Sequence, residues 1–237
     1  MNEKSSPVWG VIAAMEEEMS LLKEASEIIE SETIADMTFC RGKLNGAQVV
    51  LVVCGIGKVN AGICAQLLIS RYRVDRIVNT GVAGSLDARI NLGDLVVSTD
   101  AVQHDFDVSP IGFAKGEIPY TGLYAFPADE TLRRVAVQAV KKAAGEVGVF
   151  EGRICSGDQF ICSREQKEKI LKNFGGLCCE MEGAAIAQTA TLNHVPFVIL
   201  RAISDKADDS EELSYAEFAQ AAARRCASIV RTMIAED

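Results

Sequence analysis

The chain has 237 residues, of which 49% are hydrophobic, and its 24 basic and 33 acidic side chains give a formal net charge of −9. This length and apolar content suffice for a single large α/β domain, and no Pro-, Ser- or Gly-rich linker divides the chain. The negative charge disfavours a nucleic-acid backbone or an anionic membrane as a partner. We also expect no signal peptide and no membrane-spanning segment.

Strand-like apolar runs alternate with helical patterns along the chain. Strands are predicted at 8–14, 48–53, 76–80, 94–101, 148–155, 177–180 and 197–203, and 38–44 could add an edge strand before the Asn45-Gly46 turn. Helices are predicted at 15–30, 58–71, 128–144, 164–173, 183–193 and 214–235. Several strand runs are continuously apolar, as in strands covered on both faces. The alternation predicts an α/β fold with a central mixed, largely parallel sheet flanked by helices.

The segment 103–127 has no clean periodicity and contains three of the five prolines. Long irregular loops in compact domains are often lids or contact surfaces. We therefore predict that this segment is a loop that covers a site.

Cysteine and histidine usage restricts the chemistry. The eight cysteines form no CxxC pair and have no metal-like spacing to histidine, and most lie in apolar stretches. This usage favours a reducing, cytoplasmic environment over a disulfide framework. His104 and His194 are the only histidines, so the sequence offers few candidates for the histidine base of a Ser–His or Cys–His nucleophile. We expect carboxylate chemistry that needs no metal and no cofactor.

Acidic residues follow three of the predicted strands. They are Glu18, Glu182 and Asp205. Ligands of open α/β sheets bind outside the carboxyl ends of the strands. We therefore expect these three carboxylates to meet at one edge of the sheet and to form an acid/base site.

The helix face distinguishes Glu18 from its acidic neighbours. If residues 15–30 form one helix, Glu18 falls on the apolar side, whereas Glu16 and Glu17 point away from it. A carboxylate that faces the core needs partners, or its pKa rises. An acid in the first turn can also simply favour the positive end of the helix dipole. The facial position favours a functional role for Glu18.

Two glycine-containing tracts follow strands, Gly55–Lys58 and Asn79–Gly84. Neither matches the phosphate-binding P-loop or the dinucleotide fingerprint. Glycine at a strand end lets backbone amides approach a ligand closely. A tight turn explains the first tract equally well. For the second tract we favour a place in a pocket, because few side chains there could obstruct a ligand.

A series of motifs then points to a family. The motifs are Ala13–Glu18, Gly55–Val59, Asn79–Gly84, Ser156–Ile161, Glu180–Ala185 and Arg201–Asp205. In this order and at these spacings they closely resemble the methylthioadenosine/S-adenosylhomocysteine nucleosidases of the nucleoside phosphorylase superfamily, over essentially the whole chain. The resemblance implies a nucleoside phosphorylase-like fold. It also implies cleavage of the N-glycosidic bond between adenine and a 5′-thio-substituted ribose, through a ribosyl cation-like transition state.

The resemblance also implies roles for individual residues. Asp205 would be the general acid at purine N7, Glu18 the base that activates water, and Glu182 the acceptor for the ribose hydroxyls. Met181 would pack beside the ribose, Phe160 would stack on adenine, and the backbone of Ile161 would bind the adenine edge. Further binding positions implied by the matched motifs and the 103–127 loop are Gly84, Met15, Arg201, Ser204, Val108, Ile111, Phe113, Pro119 and Tyr215.

These roles agree with elementary chemistry. Adenine leaves poorly as an anion, so a protonated acid must supply a proton, while an ionised carboxylate activates water on the opposite face of the ribose. Inverting sugar hydrolases also use two carboxylates in opposite protonation states. Arg201 could hold one of the carboxylates or the water, or it could form a buried ion pair at the strand end.

In the family the 103–119 loop reaches the site of a neighbouring subunit, so the resemblance implies a homodimer. Two positions depart from the family pattern. Val82 stands where serine is common, and Ile111 stands where an aromatic residue is frequent. Both departures bear on the preferred 5′-substituent and not on the glycosidic chemistry.

Three alternatives stay open at this point. A phosphorylase would need cations at the site, and Lys58 and Arg89 could be recruited for phosphate. A hydrolase of aminodeoxyfutalosine shares the motifs. A non-catalytic nucleoside sensor would not require a buried base that activates water.

Overall fold

The structure, a computed structural model, describes residues 6–145, 147–207 and 215–236, and of residues 215–219 it describes the backbone alone. The strands are β1 Val8–Ala13, β2 Glu27–Ile34, β3 Met37–Leu44, β4 Ala47–Val53, β5 Arg76–Ser85, β6 Leu95–Gln103, β7 Phe126–Pro127, β8 Val149–Ser156, β9 Cys178–Glu180 and β10 Phe197–Asp205. The helices are α1 Glu16–Glu24, α2 Lys58–Ser70, α3 Glu130–Ala143, α4 Arg164–Phe174, α5 Gly183–Leu192 and α6 Tyr215–Ala235, with a 3₁₀ turn at Ser109–Ile111.

The described strands form one mixed sheet that closes on itself at one end. β5 pairs in parallel with β10, β10 runs antiparallel to β6, and β6 and β9 are each parallel to β8. β9 then returns antiparallel to β5, which completes a five-stranded ring. From β5 the sheet continues outward through β1, β4 and β3 to the edge strand β2. The predicted α/β class with a mixed sheet is confirmed, and its parallel pairings are those of β4, β1, β5 and β10 and those of β6, β8 and β9.

Helices cover both faces of the sheet, which explains the continuously apolar strands. One cluster of buried side chains joins the sheet to α1, α3 and α6, and a second joins the opposite face to α2 and α5. Along β1, for example, Val11 belongs to the first cluster and Ile12 to the second. A smaller cluster packs α4 against the ends of β6, β8 and β9. Alternate residues of one strand thus supply both cores.

The predicted helix at 15–30 is wrong beyond its first turns. The helix ends at Glu24, and residues 27–34 form β2 instead. Ile28 and Ile29, which the helical periodicity assigned to the core, are 37% and 64% exposed. Among the described strands β2 pairs only with β3, so it is an edge strand whose side chains are mostly solvated. Its Glu-rich sequence carries little of the β-branched and aromatic signal that identifies buried strands.

The two hairpins at this edge differ in whether the sequence of the turn identifies it. The predicted Asn45-Gly46 turn joins β3 to β4, and both residues have positive φ, 52° and 86°. The β2–β3 turn uses Ala35 and Asp36, also at positive φ, but it contains no glycine. The first turn has the Asn-Gly signature of a type I′ turn and the second does not. The sequence therefore predicts the β3–β4 hairpin but not the β2–β3 hairpin.

The segment after β6 is mostly irregular, as predicted. Apart from the short 3₁₀ turn and the two-residue strand β7, it is a surface loop in which Ile111 is 66% and Tyr120 94% exposed. All eight cysteines are unpaired, and only Cys162 among them is exposed. No helix in the described part of the chain is long and apolar enough to span a membrane.

Candidate active site

A cavity of about 630 Å³, including its open mouth, lies where the loops after β1, β4, β8 and β9 meet the ends of β5 and β10. Predicted site residues line it: Met15, Glu18, Gly84, Phe160, Ile161, Met181, Glu182, Ser204 and Asp205. The three carboxylates that follow separate strands in the sequence therefore share one pocket. β1 and β10 run parallel to β5 on its two sides, and the short strand β9 pairs antiparallel with Gly84 and Ser85 at the end of β5, so all three carboxylates lie near that end.

Glu18 lies at the third position of α1 and is only 2% exposed. Its Oε2 accepts the backbone N–H groups of Ala14 and Met15 at 3.0 and 3.1 Å, and its Oε1 accepts the N–H of Val82 at 3.0 Å. Burial raises the pKa of Glu18, against the opposing effects of the Arg201 charge and these amides. The carboxylate is thus fixed in position by backbone donors, yet it retains a proton more readily than a surface glutamate does.

Asp205 ends β10 beside a β-bulge. The pairing of β10 with β5 shifts register between Ile203 and Asp205, so that Asp205 lies opposite Gly84. Its Oδ2 accepts the hydroxyl of Ser204 at 2.9 Å, and its Oδ1 accepts the N–H of Ala207 at 2.8 Å. Bulges redirect side chains at the ends of strands. This one turns the carboxylate into the cavity.

Glu182 follows β9 and directly precedes α5. Its Oε1 accepts the N–H of Gly57 at 2.9 Å, and the side chain is 5% exposed. Gly57 has φ +98°, a backbone conformation that disfavours any other residue. Burial, together with the negative charge of Glu180, raises the pKa of Glu182 to about 7. The Gly55–Lys58 tract therefore acts as more than a turn, because it holds the Glu182 carboxylate.

Arg201 lies beneath the cavity floor and is 1% exposed. Its Nη2 donates to Asn79 Oδ1 at 2.6 Å and forms an ion pair with Glu180. The same nitrogen lies 3.8 Å from Glu182 Oε2. At Gly81 a Cβ would lie 2.6 Å from Glu18 Oε1 and closer still to Arg201 Nη1, so only glycine leaves room for both groups. Of the two roles considered for Arg201, the buried ion pair is present.

The cations considered for phosphate binding are already engaged. Lys58 Nζ donates to Asp105 Oδ1 at 2.6 Å and to Gln103 Oε1 at 3.0 Å, while Asp158 accepts the Lys58 N–H at 2.7 Å. These bonds tie the loop that holds Glu182 to the 157–161 loop. Arg89 is paired with its neighbour Asp87 at 2.6 Å.

Four predicted positions on the irregular loop do not line this cavity as one chain forms it. Val108, Ile111 and Phe113 lie on the irregular loop and do not line the pocket, and neither does Pro119. Tyr215 begins α6, and its side chain is outside the described residues. A place for the loop residues in a second subunit's site stays a prediction.

The Asn79–Gly84 tract supplies Val82 and Ala83 to the pocket, as favoured from the sequence. Sequence reasoning did not select some other residues that line it: Ala14, Ile56, Gln159, Cys179 and Glu180. Glu180 is the most consequential of them. Its signal was visible, since it is an acid at the end of the continuous apolar run Leu177–Cys179. Nothing in the local sequence distinguished its carboxylate from that of Glu182.

Comparisons with known proteins identify the family. The phosphorylase superfamily model matches residues 9–235. A 5′-methylthioadenosine/S-adenosylhomocysteine nucleosidase of Geobacillus sp. is 41% identical, with 94% of this chain and 96% of that protein covered. The chain belongs to the methylthioadenosine/S-adenosylhomocysteine nucleosidase family.

Solved structures of this nucleosidase family superpose closely. The Neisseria meningitidis nucleosidase in complex with methylthio-immucillin-A has a TM-score of 0.93 and 37% identity, with 97% of this chain and 99% of that chain covered. A Helicobacter pylori structure described as futalosine hydrolase gives a TM-score of 0.92 at 30% identity, with 99% and 100% covered. Family membership and fold are therefore established, and the resemblance noted in the motifs is confirmed.

We predict that Glu182→Gln stabilises the protein at high pH. A folded pKa of about 7 exceeds the ordinary 4.5, so the folded state binds this proton more tightly than the unfolded state does. The contribution of this proton to the free energy of unfolding is fully present below pH 4.5 and is lost as the pH rises through 7. The variant should match the wild type at pH 4 and exceed it by about 1 to 3 kcal/mol in unfolding free energy at pH 8.5.

Urea unfolding of both proteins at the two pH values measures this difference. The exposed Glu24 supplies a control, since Glu24→Gln carries no burial cost and should give the same offset at both values. An offset for Glu182→Gln that does not change with pH would contradict the raised pKa.

Proposed function

We propose that the protein hydrolyses the N-glycosidic bond of 5′-methylthioadenosine and S-adenosylhomocysteine, releasing adenine and the 5-thio-substituted ribose. The observation that carries the proposal is the convergence of Glu18, Glu182 and Asp205 on one cavity in a chain of this family. The Neisseria relative is described with methylthio-immucillin-A bound, and a Colwellia psychrerythraea relative with adenine.

Asp205 is proposed as the general acid. Its carboxylate is oriented by Ser204 and the Ala207 amide, and it lies against Gly84, where a side chain would collide with Asp205 Oδ1. A proton delivered to purine N7 would make adenine a better leaving group. Phe160, which is 60% exposed at the cavity, would stack on the base, with the Ile161 backbone at its edge.

Glu18 is proposed as the base that activates water. A general base is most effective when its pKa is near the working pH. The raised pKa of Glu18, caused by burial, moves it in that direction, and three backbone amides fix its orientation. Glu182 would accept hydrogen bonds from the ribose hydroxyls, and its negative charge would stabilise the ribosyl cation. Met15 and Met181 would contact the ribose and its sulfur substituent.

Two alternative reactions use the same pocket. A Helicobacter pylori relative is described as a futalosine hydrolase, so aminodeoxyfutalosine remains an alternative substrate. A phosphorylase is disfavoured by the charges, because Lys58 is engaged by Asp105 and Arg89 by Asp87. The amides that begin α5 are also taken, that of Gly183 by Glu180 and that of Ala184 by Ser156.

The proposed assembly is a homodimer in the cytoplasm. Val59 and Ile63 lie one turn apart on α2 and are 72% and 42% exposed, and Ile56 at the cavity is 56% exposed. A partner that covered these side chains would lie at the cavity mouth, where the loop residues Val108, Ile111 and Phe113 could complete the wall for the 5′-substituent. The unpaired, mostly buried cysteines suit a reducing compartment.

We predict that Asp205→Asn and Glu18→Gln each lower kcat by about 10² to 10⁴ with little loss of binding, because each removes one proton transfer. Adenine release from methylthioadenosine measures kcat, and equilibrium dialysis measures binding. The exposed neighbour gives a matched control, since Glu17→Gln should retain wild-type turnover. Wild-type turnover by either site variant would remove that residue from the mechanism.

The pH profile gives a further check. Because the ionised form of Glu18 is needed and its pKa is raised from 4.5, activity should be lost as pH falls while pH is still above 4.5.

The substrate class is tested by adenine release from methylthioadenosine, S-adenosylhomocysteine and aminodeoxyfutalosine, each with and without inorganic phosphate. We expect cleavage of the two thio-nucleosides in phosphate-free buffer. Strict dependence on phosphate would identify a phosphorylase instead. Cleavage of aminodeoxyfutalosine alone would move the assignment to that substrate, and tight nucleoside binding with no adenine release would identify a sensor.

Dimerisation is tested with Val59→Lys, which places a charge in the proposed interface. We expect a monomer by light scattering and a higher KM for methylthioadenosine, because the partner's loop would no longer close the cavity. Ile29→Lys is the control, since this residue is also largely exposed, at 64%, and lies on edge strand β2. A variant that stays dimeric would place the interface elsewhere.

A further inference from the structure

Glu180 is an acid that the proposed mechanism does not use, yet it is the most fully engaged carboxylate of the site. Its Oε1 accepts the hydroxyl of Ser156, and its Oε2 accepts Arg201 Nη2 together with the N–H groups of Glu182 and Gly183, the latter two at 3.2 and 2.8 Å. It is 8% exposed. With four donors supplied by β8, β10 and the start of α5, Glu180 has no need of a ligand.

Arg201, its partner, lies within reach of two other acids. Nη2 is 3.8 Å from Glu182 Oε2, which is beyond hydrogen-bond distance but close enough for pairing after a small movement. Nη1 and Glu18 Oε1 both face the space that a side chain at Gly81 would occupy. A buried guanidinium requires an anionic partner. Without Glu180, the remaining partners would be Glu182 and Glu18.

We propose that Glu180 is a positioning residue that retains Arg201 on its own carboxylate, and so keeps Glu18 available for water and Glu182 available for the ribose. This inference rests on the proposed function. Glu182 accepts one amide on Oε1, from Gly57, and has Oε2 at 3.8 Å from the arginine. An arginine paired with Glu182 would compete directly with the ribose hydroxyls for that oxygen.

The electrostatics support the same arrangement. The charged groups that act on Glu182 are Glu180, Arg201 and Glu18, and the Glu180 charge adds to burial in raising the pKa of Glu182. Burial lowers the pKa of His104, which also interacts with the Glu180 charge, so it adds little positive charge at neutral pH. Burial raises the pKa of the other titratable neighbours of Glu180, the thiols of Cys155, Cys178 and Cys179, so they add no negative charge there. In Glu180→Gln a negative neighbour is lost and the guanidinium is released toward Glu182 and Glu18. Both changes favour their ionised forms, so their pKa values fall.

The test is Glu180→Gln, assayed for adenine release from methylthioadenosine between pH 5 and 9. We expect KM to rise about tenfold, as for a lost hydrogen bond to a charged group. We also expect the acid limb of kcat/KM to move to lower pH by about one unit. Asp94→Asn is the matched control, because Asp94 is a buried carboxylate that binds the amides of Asn91 and Gly148 away from the cavity. It should leave the pH profile in place.

A double-mutant cycle separates positioning from a direct role. If Glu180 acts only through Arg201, the effect of Glu180→Gln on KM should disappear in the Arg201→Met background. An effect of equal size in both backgrounds would overturn the proposal, and so would an unchanged KM and pH profile in folded Glu180→Gln. If Glu180→Gln does not fold, Glu180→Asp retains the charge on a shorter side chain. It should move KM and the acid limb in the same direction by less, and no movement would also reject the proposal.

A readout without turnover keeps the two proposals distinguishable. Infrared difference spectra against Glu182→Gln follow the protonated carboxyl of Glu182 as pH is varied. Its midpoint should fall in Glu180→Gln and stay in place in Asp94→Asn. A wild type that releases no adenine would reject the proposed function, while these spectra would still test Glu180.

Discussion

One buried guanidinium organises the site. Arg201 is 1% exposed, and around it lie Glu18, Glu180 and Glu182, which are 2%, 8% and 5% exposed. Removing a charge from water is costly unless it is paired and hydrogen-bonded. Arg201 is hydrogen-bonded to Glu180 and lies 3.8 Å from Glu182, so neither Glu18 nor Glu182 accepts a hydrogen bond from it, and burial raises the pKa of both. The protonation of the site therefore follows from which acid the arginine binds.

Burying Arg201 and its acidic neighbours costs stability, and packing in the rest of the chain offsets that cost. The arginine lies on β10, and its amide partner Asn79 lies on the neighbouring strand β5 and is fully buried. Gly81, two residues on, supplies the space in which Arg201 and Glu18 approach. Two extended apolar clusters on the faces of the sheet hold these strands in register. Strained or unpaired groups persist where the packing around them fixes their positions.

Sequence periodicity identified the buried strands and most helices, because both faces of the sheet are covered and the strands are continuously apolar. It failed at β2, where a solvated edge strand has no such pattern. Glu18 was nevertheless selected correctly as a buried acid, since the facial argument depends on the first two turns, and those are helical. The pairing of Arg201 with Glu180 was not predictable, because it joins residues on β9 and β10 that no local rule connects. The register of the ring decides which of the neighbouring acids, Glu180 or Glu182, meets the arginine.

The excess of negative charge also bears on how the proposed reaction would proceed. With every group ionised, Glu18, Glu180, Glu182 and Arg201 leave the site with more negative than positive charge, which disfavours the empty pocket and favours a cation within it. As the glycosidic bond breaks, positive charge develops on the ribose. That charge stabilises the ionised forms of Glu182 and Glu18, which burial disfavours. The base would thus become fully available as the cation forms, and the energy stored in burying two poorly compensated carboxylates would be recovered in the transition state rather than in the bound substrate.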